Sequence, residues 1–211
     1  MKYFKILLFL FLLPGDNGNW ELKKNEDNIM VYTRRVITSD FKELKSITHV
    51  KSSLSSIVHI LIDVNHFTDW IYKCVTATVV KKVNDREVIS YQLFDAPFPF
   101  DDRDVVAQCF VIQDTITKIV TVRSVLADGL IPEKDGVVRI KNFHTKYILT
   151  PEANGFVRID YELGSEPGGA IPAWLANLVM VNGPFSTQLM MNNLLQTPAI
   201  KNTRLPFIEE P

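Results

Sequence analysis

The stretch Glu166-Pro167-Gly168-Gly169, followed by Ile171-Pro172-Ala173-Trp174, constrains the fold of this chain more than any other. Paired glycines supply backbone angles closed to residues with a side chain. A proline early in a helix loses nothing, because the N–H it lacks has no partner there. The pattern predicts a tight turn feeding a helix from residue 172 to about 196, which at about 1.5 Å per residue spans roughly 36 Å. At Gly183-Pro184 a ladder hydrogen bond is lost and a bend is expected. Ile171, Trp174, Leu175, Leu178, Phe185 and Leu189 form one apolar stripe, which Val179, Met180, Val181, Met190 and Met191 widen. Either this helix is buried in a solid core, or it packs on the core and also roofs a cavity lined by deformable methionines.

Ahead of the helix the chain is strand-rich. Residues 29–36 and 41–50 are rich in β-formers and are separated by Thr38-Ser39-Asp40, a hairpin connection. The polar lead-in, 20–28, reads as a turn or short helix. Ser53 can cap a helix whose Leu54, Ile57, Val58, Leu61 and Ile62 share one face, and a second short helix at 64–70 brings Phe67 and Trp70 to one side. Strands are predicted at 74–83, 87–94, 104–113, 116–126, 137–150 and 156–164, with turns at Asn84-Asp85, Asp114-Thr115 and Asn154-Gly155. Successive hairpins imply an antiparallel sheet of about eight strands, with two short helices inserted after the second strand and one terminal helix covering one face, an α+β architecture. One domain is expected over 19–200, with a surface tail at 201–211.

A chain of 211 residues that is 46% hydrophobic and 22% charged can bury a sizeable core, and its net charge of -1 argues against non-specific nucleic-acid binding. At the N-terminus, Lys2 and Lys5 precede eight apolar residues, 6–13, and then Pro14-Gly15-Asp16-Asn17-Gly18. This pattern predicts a secretory signal peptide, 1–18, cut near Gly15 to Gly18 in a periplasmic or secreted protein; the rival is an uncleaved peripheral anchor. The run is far shorter than the roughly 20 residues of a spanning helix. Cys74 and Cys109 sit in predicted strands, as buried hydrophobes or as a pair. His49, His59, His66 and His144 show no zinc-binding interval, and neither metal nor cofactor is expected.

Three segments in register carry a family resemblance. The first is Ala96-Pro97-Phe98-Pro99-Phe100-Asp101-Asp102-Arg103-Asp104, a proline-aromatic turn entering Arg-Asp at a strand start. The second is Pro132-Glu133-Lys134-Asp135-Gly136-Val137-Val138-Arg139, continuing to Tyr147-Ile148-Leu149-Thr150-Pro151. The third is the Pro-Gly-Gly helix entry with Asn182-Gly183-Pro184-Phe185. Together, over 20–197, they resemble the START (StAR-related lipid transfer) domain, in a bacterial, exported member. The resemblance implies a helix-grip fold, a curved antiparallel sheet wrapped around the C-terminal helix, and a hydrophobic tunnel holding one lipid, typically a sterol or phospholipid.

The implied lipid-binding residues are Tyr91, Gln92, Phe98, Cys109 and Tyr147 on the sheet side, and Trp174, Leu178, Val181, Phe185 and Leu189 on the helix. Leu126, Leu130 and Ile131 occupy the loop that lies over the tunnel mouth in this family, either as a lid that touches membrane or as ordinary loop packing. Where some members carry a charged pair in the tunnel this chain has Cys109 and Gln92, so its ligand-orienting group is expected to be neutral: Gln92, Tyr91 or Tyr147. Glu166 replaces the family's usual aspartate. Arg103 and Asp104, adjacent on a strand and hence pointing to opposite faces, are read as structural, Arg103 anchoring the Phe98–Phe100 turn.

The function expected is non-enzymatic lipid binding and transfer by a monomer that meets membranes transiently. An enzyme of the cyclase or hydrolase type is the alternative, with His144 and Tyr147 as candidate acid–base residues on opposite faces of one strand. A ligand-sensing or scaffold module is a third reading.

Overall fold

Alternation sets which face of each strand is buried. In β2 (Ile29–Val36), Ile29, Val31 and Thr33 are buried while their neighbours are half exposed, and β3 (Ser39–Lys51) buries Leu44, Ser46, Thr48 and Val50 in the same way. The computed structural model describes residues 18–37, 39–169 and 171–211, with the backbone alone at Leu178. The predicted leader up to Asn17, Thr38 of the expected hairpin turn, and the side chain of Leu178 lie outside the described residues.

Eight further strands complete the sheet: β1 (Glu21–Glu26), β4 (Cys74–Asn84), β5 (Glu87–Phe94), β6 (Asp102–Gln113), β7 (Val120–Leu126), β8 (Val137–Arg139), β9 (Asn142–Pro151) and β10 (Phe156–Glu166). Their order is β1-β2-β3-β10-β9-β7-β6-β5-β4, antiparallel throughout, with β8 added in parallel beside the first residues of β6. Cross-strand register lines up Val31, Ser46, Tyr161, Tyr147, Val122 and Val111 as one row across the inner face.

Between β3 and β4 lie α1 (Leu54–Ile62) and a 3-10 helix, Val64–Asp69. The Ser53 hydroxyl caps α1, accepting from the N–H of Ser56 at 3.1 Å. The Glu210 carboxylate accepts from the N–H groups of Leu54 and Ser55, both at 2.9 Å. Three donors that a helix start leaves without intrahelical partners are thereby satisfied, two of them by an anion at the positive end of the helix.

The long helix, α2 (Ala173–Leu195), runs unbroken through Pro184 and lies on the inner face against β2 and β3. The Asn177 side chain accepts from Lys42 N–H at 3.0 Å and donates to the Asp40 carbonyl at 3.3 Å; Asn192 donates to the Thr48 hydroxyl at 3.3 Å. The helix therefore advances in step with β3. On its other flank the Thr187 hydroxyl accepts from Tyr72 N–H at 2.9 Å.

Four expectations change. The lead-in is an edge strand, β1, whose polar sequence carries no alternation because most of its residues face solvent. The two inserted helices consequently follow the third strand. The predicted strand 137–150 divides at Ile140-Lys141, because β8 pairs parallel with β6 whereas β9 pairs antiparallel with β7. The tail does not simply lie on the surface. After a short helix, α3 (Pro198–Lys201), Ile208 is buried, Gln113 bonds both N–H and carbonyl of Glu209, and Glu210 caps α1.

Replacing Glu210 by alanine should lower the unfolding free energy by about 0.5–2 kcal/mol, the ordinary cost of a lost N-cap. Urea denaturation of the two proteins checks this, and unchanged stability would show that water replaces the carboxylate at no cost.

Candidate functional site

Fixing α2 along β3 leaves the inner face of β10, β9 and β7 incompletely covered. The result is a cavity of about 330 Å³ between sheet and helix. Its floor includes Val122, Ser124, Thr145, Tyr147, Tyr161 and Leu163. Tyr147 and Tyr161 are cross-strand partners whose rings stack at 4.3 Å. Burial, reinforced by Tyr161, pushes the Tyr147 hydroxyl well above its ordinary range, and burial raises Tyr161 as well. Both stay protonated across physiological pH. One wall is built by the 3-10 segment: Phe67 and Trp70, edge to face at 5.7 Å, with Ile71 and Tyr72.

The roof is a row of α2 residues at four-residue spacing, Leu175, Val179, Gly183 and Thr187, flanked by Ala176, Met180 and Pro184. A Cβ at Gly183 would meet the Tyr72 ring at 3.2 Å, so glycine lets the wall close against the roof. At the far end sit Arg103, Ser165, Pro167 and Ile171 with Ala96 and Pro97.

Of the residues expected to bind lipid, Gln92 and Tyr147 line the cavity. Gln92 donates to the Ser90 hydroxyl at 2.9 Å. Tyr91 faces the opposite side of the sheet, packed with Ile89, Val106 and Ile131 under Lys134. Cys109 is buried in the core rather than in the lining. Phe98 is 97% exposed and Trp174 is 70% exposed, so both point away. Val181, Phe185 and Leu189 form a separate helix row, about 200° round from the roof row at 100° per residue. This row packs into the core, where the Lys24 ammonium of β1 lies 3.7 Å from the Phe185 ring centre.

The three lid residues also separate. Leu126 packs on the inner face with Val105, Ala107 and Ile140, Ile131 packs on the outer face over Tyr91, and Leu130 is 50% exposed.

Arg103 and Asp104 do point to opposite faces. Asp104 takes a bidentate, buried bond from Arg139, at 2.6 and 3.1 Å, and Arg139 also donates to the carbonyls of Ile131 and Pro132. That pair pins the 127–136 loop to the outside of the sheet. Arg103 reaches inward to line the cavity and donates to the carbonyls of Asp101, Pro167 and Gly168. It therefore holds the Pro-Gly-Gly entry to α2 as well as the turn before β6, a role that sequence assigned only to the latter. Gly168 and Gly169 take positive φ, 67° and 62°, as the tight turn requires. His144, the acid–base candidate, is exposed on the outer side opposite Gly164, away from Tyr147.

A START domain family model matches residues 9–198. The chain belongs to the START domain family. An uncharacterised protein of Pseudomonas aeruginosa is 31% identical over 170 residues, covering 80% of this chain and 83% of that protein. The mouse phosphatidylcholine transfer protein is 24% identical over 171 residues, covering 79% and 78% of the two chains. Among solved structures, a STAR-related lipid transfer protein fragment from Xanthomonas axonopodis superposes with a TM-score of 0.78 at 30% identity, covering 84% of this chain and 99% of that one. The antiparallel sheet with its C-terminal helix is thus the START fold.

Within that fold the two thiols are free, and they are held apart. Cys74 lies opposite Phe94 and Cys109 opposite Val88, two strands and six residues of register apart, on the order of 20 Å at ordinary strand spacings. No disulfide spans that distance. Burial pushes both thiols from 9.0 up to about 11. Folded thiols keep their protons where unfolded ones lose them, so this contribution to stability is intact below pH 9 and is lost as pH climbs toward 11. At pH 8 a disulfide exchange reagent should label neither cysteine of the native protein and both in denaturant. Fast native labelling would mean that the core opens readily.

Proposed function

We propose that this START-domain protein binds one lipid molecule, of the sterol or phospholipid class, in the cavity beneath α2 and carries it between membranes. The observation that carries the reading is the cavity itself: a largely apolar volume of about 330 Å³ roofed by a helix and floored by a sheet, whose walls carry a few neutral polar groups and, at one end, Asp95 and Arg103. It falls at the lower end of the roughly 300–1,000 Å³ typical of small-molecule sites. The name of the mouse relative, a phosphatidylcholine transfer protein, supports lipid transfer.

A carrier rather than an enzyme is favoured by the state of the lining groups. General acid–base work needs a group that titrates near neutral pH within reach of the ligand. The two buried tyrosines are held protonated, Asp95 is paired with Lys73, and His144 is outside the cavity.

Contact with a bilayer is supported by exposed apolar side chains at one end of the sheet. Phe98 precedes β6, Leu130 lies in the loop before β8, which pairs with the start of β6, and Trp174 opens α2 just after the turn that Arg103 holds. Such side chains suit insertion at a membrane interface. We further propose that the protein acts as a monomer and that its basic, apolar N-terminus directs export, with cleavage near Gly15 to Gly18. N-terminal sequencing of the protein from its native host should find a start between residues 16 and 20; a start at Met1 would refute export by cleavage.

The transfer reading is tested by moving a fluorescent sterol or phosphatidylcholine between vesicles. The wild type should accelerate exchange. Ala176→Trp, which puts an indole into the cavity, should abolish uptake while the fold survives, overpacking costing about 1–3 kcal/mol. Phe98→Ser with Leu130→Ser and Trp174→Ser should slow exchange and leave lipid affinity and melting temperature nearly unchanged. Unaltered uptake by the tryptophan variant would place the ligand elsewhere.

A further inference from the structure

One lining residue is unlike the rest. Arg103 is 6% exposed, yet it is the one cationic side chain among the described residues that line a mostly apolar cavity. Of the five N–H donors on a guanidinium, three are engaged, by the carbonyls of Asp101, Pro167 and Gly168. The Pro167 and Gly168 contacts are long, at 3.4 Å each. Among the described residues no carboxylate makes a salt bridge with it; Asp101 and Asp102 favour its charge only from further off, while burial opposes it. Each of its three nitrogens makes one hydrogen bond, which leaves two N–H donors over, and the Phe100 ring centre lies 6.0 Å from the guanidinium carbon, so the buried charge meets carbonyls and an aromatic ring but no paired carboxylate.

The start of α2 adds to this at the same place. Gly169, within 3.4 Å of the Arg103 guanidinium measured from its ideal Cβ position, leads into a helix of 23 residues. That helix has no side-chain cap and no acidic residue in its first turn. The N–H groups of Leu175 and Ala176 bond the Pro172 carbonyl, while those of Ala173 and Trp174 and the positive end of the dipole meet no anionic side chain. Ile171, Leu175 and Ala176, around that helix start, line the cavity together with Arg103. The acidic groups at this end are otherwise engaged: Asp95 pairs with Lys73, and Glu166 accepts from the Ser39 hydroxyl at 2.6 Å.

We propose that this end of the cavity is an anion site, in which Arg103 and the start of α2 receive the phosphate or carboxylate of an acidic lipid headgroup. The inference rests on the carrier reading and narrows it: a neutral sterol hydroxyl leaves the guanidinium unpaired, whereas an oxyanion accepts its free N–H donors in charge-assisted bonds. The acyl chain then runs along the stacked Tyr147–Tyr161 floor beneath Val179 and Thr187.

Three amphiphiles with one chain length test it: dodecyl phosphate, dodecanoate and dodecanol, titrated into the protein and followed by tryptophan emission, to which Trp70 in the cavity wall contributes. One or both anions should bind at least about tenfold more tightly than the alcohol, and their ranking distinguishes a phosphate head from a carboxylate. In Arg103→Gln the preference should vanish while dodecanol binding is retained; Arg103→Lys, which keeps the charge but not the fork, should keep part of it. Equal affinity of the wild type for all three, or a full preference in a folded Arg103→Gln, overturns the anion site alone. If Arg103→Gln does not fold, the wild-type ranking and Arg103→Lys decide. Failure of all three to bind overturns the carrier reading together with this one.

Discussion

The attachment of α2 to one flank of the sheet is the constraint from which the rest of the architecture follows. Asn177 and Asn192 tie the helix to β3 in register, and the Val181–Phe185–Leu189 row packs into the core on that side. One helix is about 10 Å wide, whereas strands at about 4.8 Å spacing make β10, β9, β7 and β6 considerably wider. A single helix seated over β2 and β3 cannot fill that face. The remaining width is closed by the wall of Phe67, Trp70 and Tyr72, hinged to α2 through the Thr187–Tyr72 bond, and a space is left between. The cavity is a consequence of covering a broad sheet with one helix.

Two adjacent residues organise what surrounds that space. Strand geometry sends Arg103 inward and Asp104 outward, and each fixes a different loop. Asp104 through Arg139 clamps the 127–136 loop to the outer face, and Arg103 grips the Pro-Gly-Gly turn that launches α2. A buried ion pair of the Asp104–Arg139 kind contributes little net stability against an apolar substitute, but breaking it by removing one partner is expensive, about 3–5 kcal/mol. Its effect is to specify where the loop goes. The Arg-Asp dipeptide is thus a structural junction between both faces of the sheet and the helix entry.

Much of the fold was legible because its signals are local. Hairpin turns at Asn84-Asp85 and Asn154-Gly155, the Ser53 cap and the Pro-Gly-Gly entry all act within a few residues, and the element ends they mark stand close to where sequence placed them. The strand β1 was not legible, because an edge strand with both sides wet shows no alternation. The lining of the cavity was legible only in part. The helix is apolar on nearly every side, so periodicity could not separate the row facing the cavity from the row at Val181, Phe185 and Leu189. Tyr91 and Gln92 are neighbours on a strand both of whose faces are shielded, one looking into the cavity and one covered by the loop through Ile131, so composition alone could not say which looks inward. The inward parity of Arg103 was available from Val105 and Cys109 two and six residues on, but its place in the cavity depends on the turn at Pro167, distant in sequence.

The central claim is that lipid lies between the Tyr147–Tyr161 floor and the Leu175–Thr187 row of α2. Photo-crosslinking with a phosphatidylcholine bearing a diazirine in its acyl chain, followed by peptide mapping, tests it most directly. The account predicts labels on residues such as Leu175, Val179, Thr187 and Tyr147. Labels confined to the Val181–Phe185–Leu189 row, or to exposed Phe98 and Trp174, would contradict it.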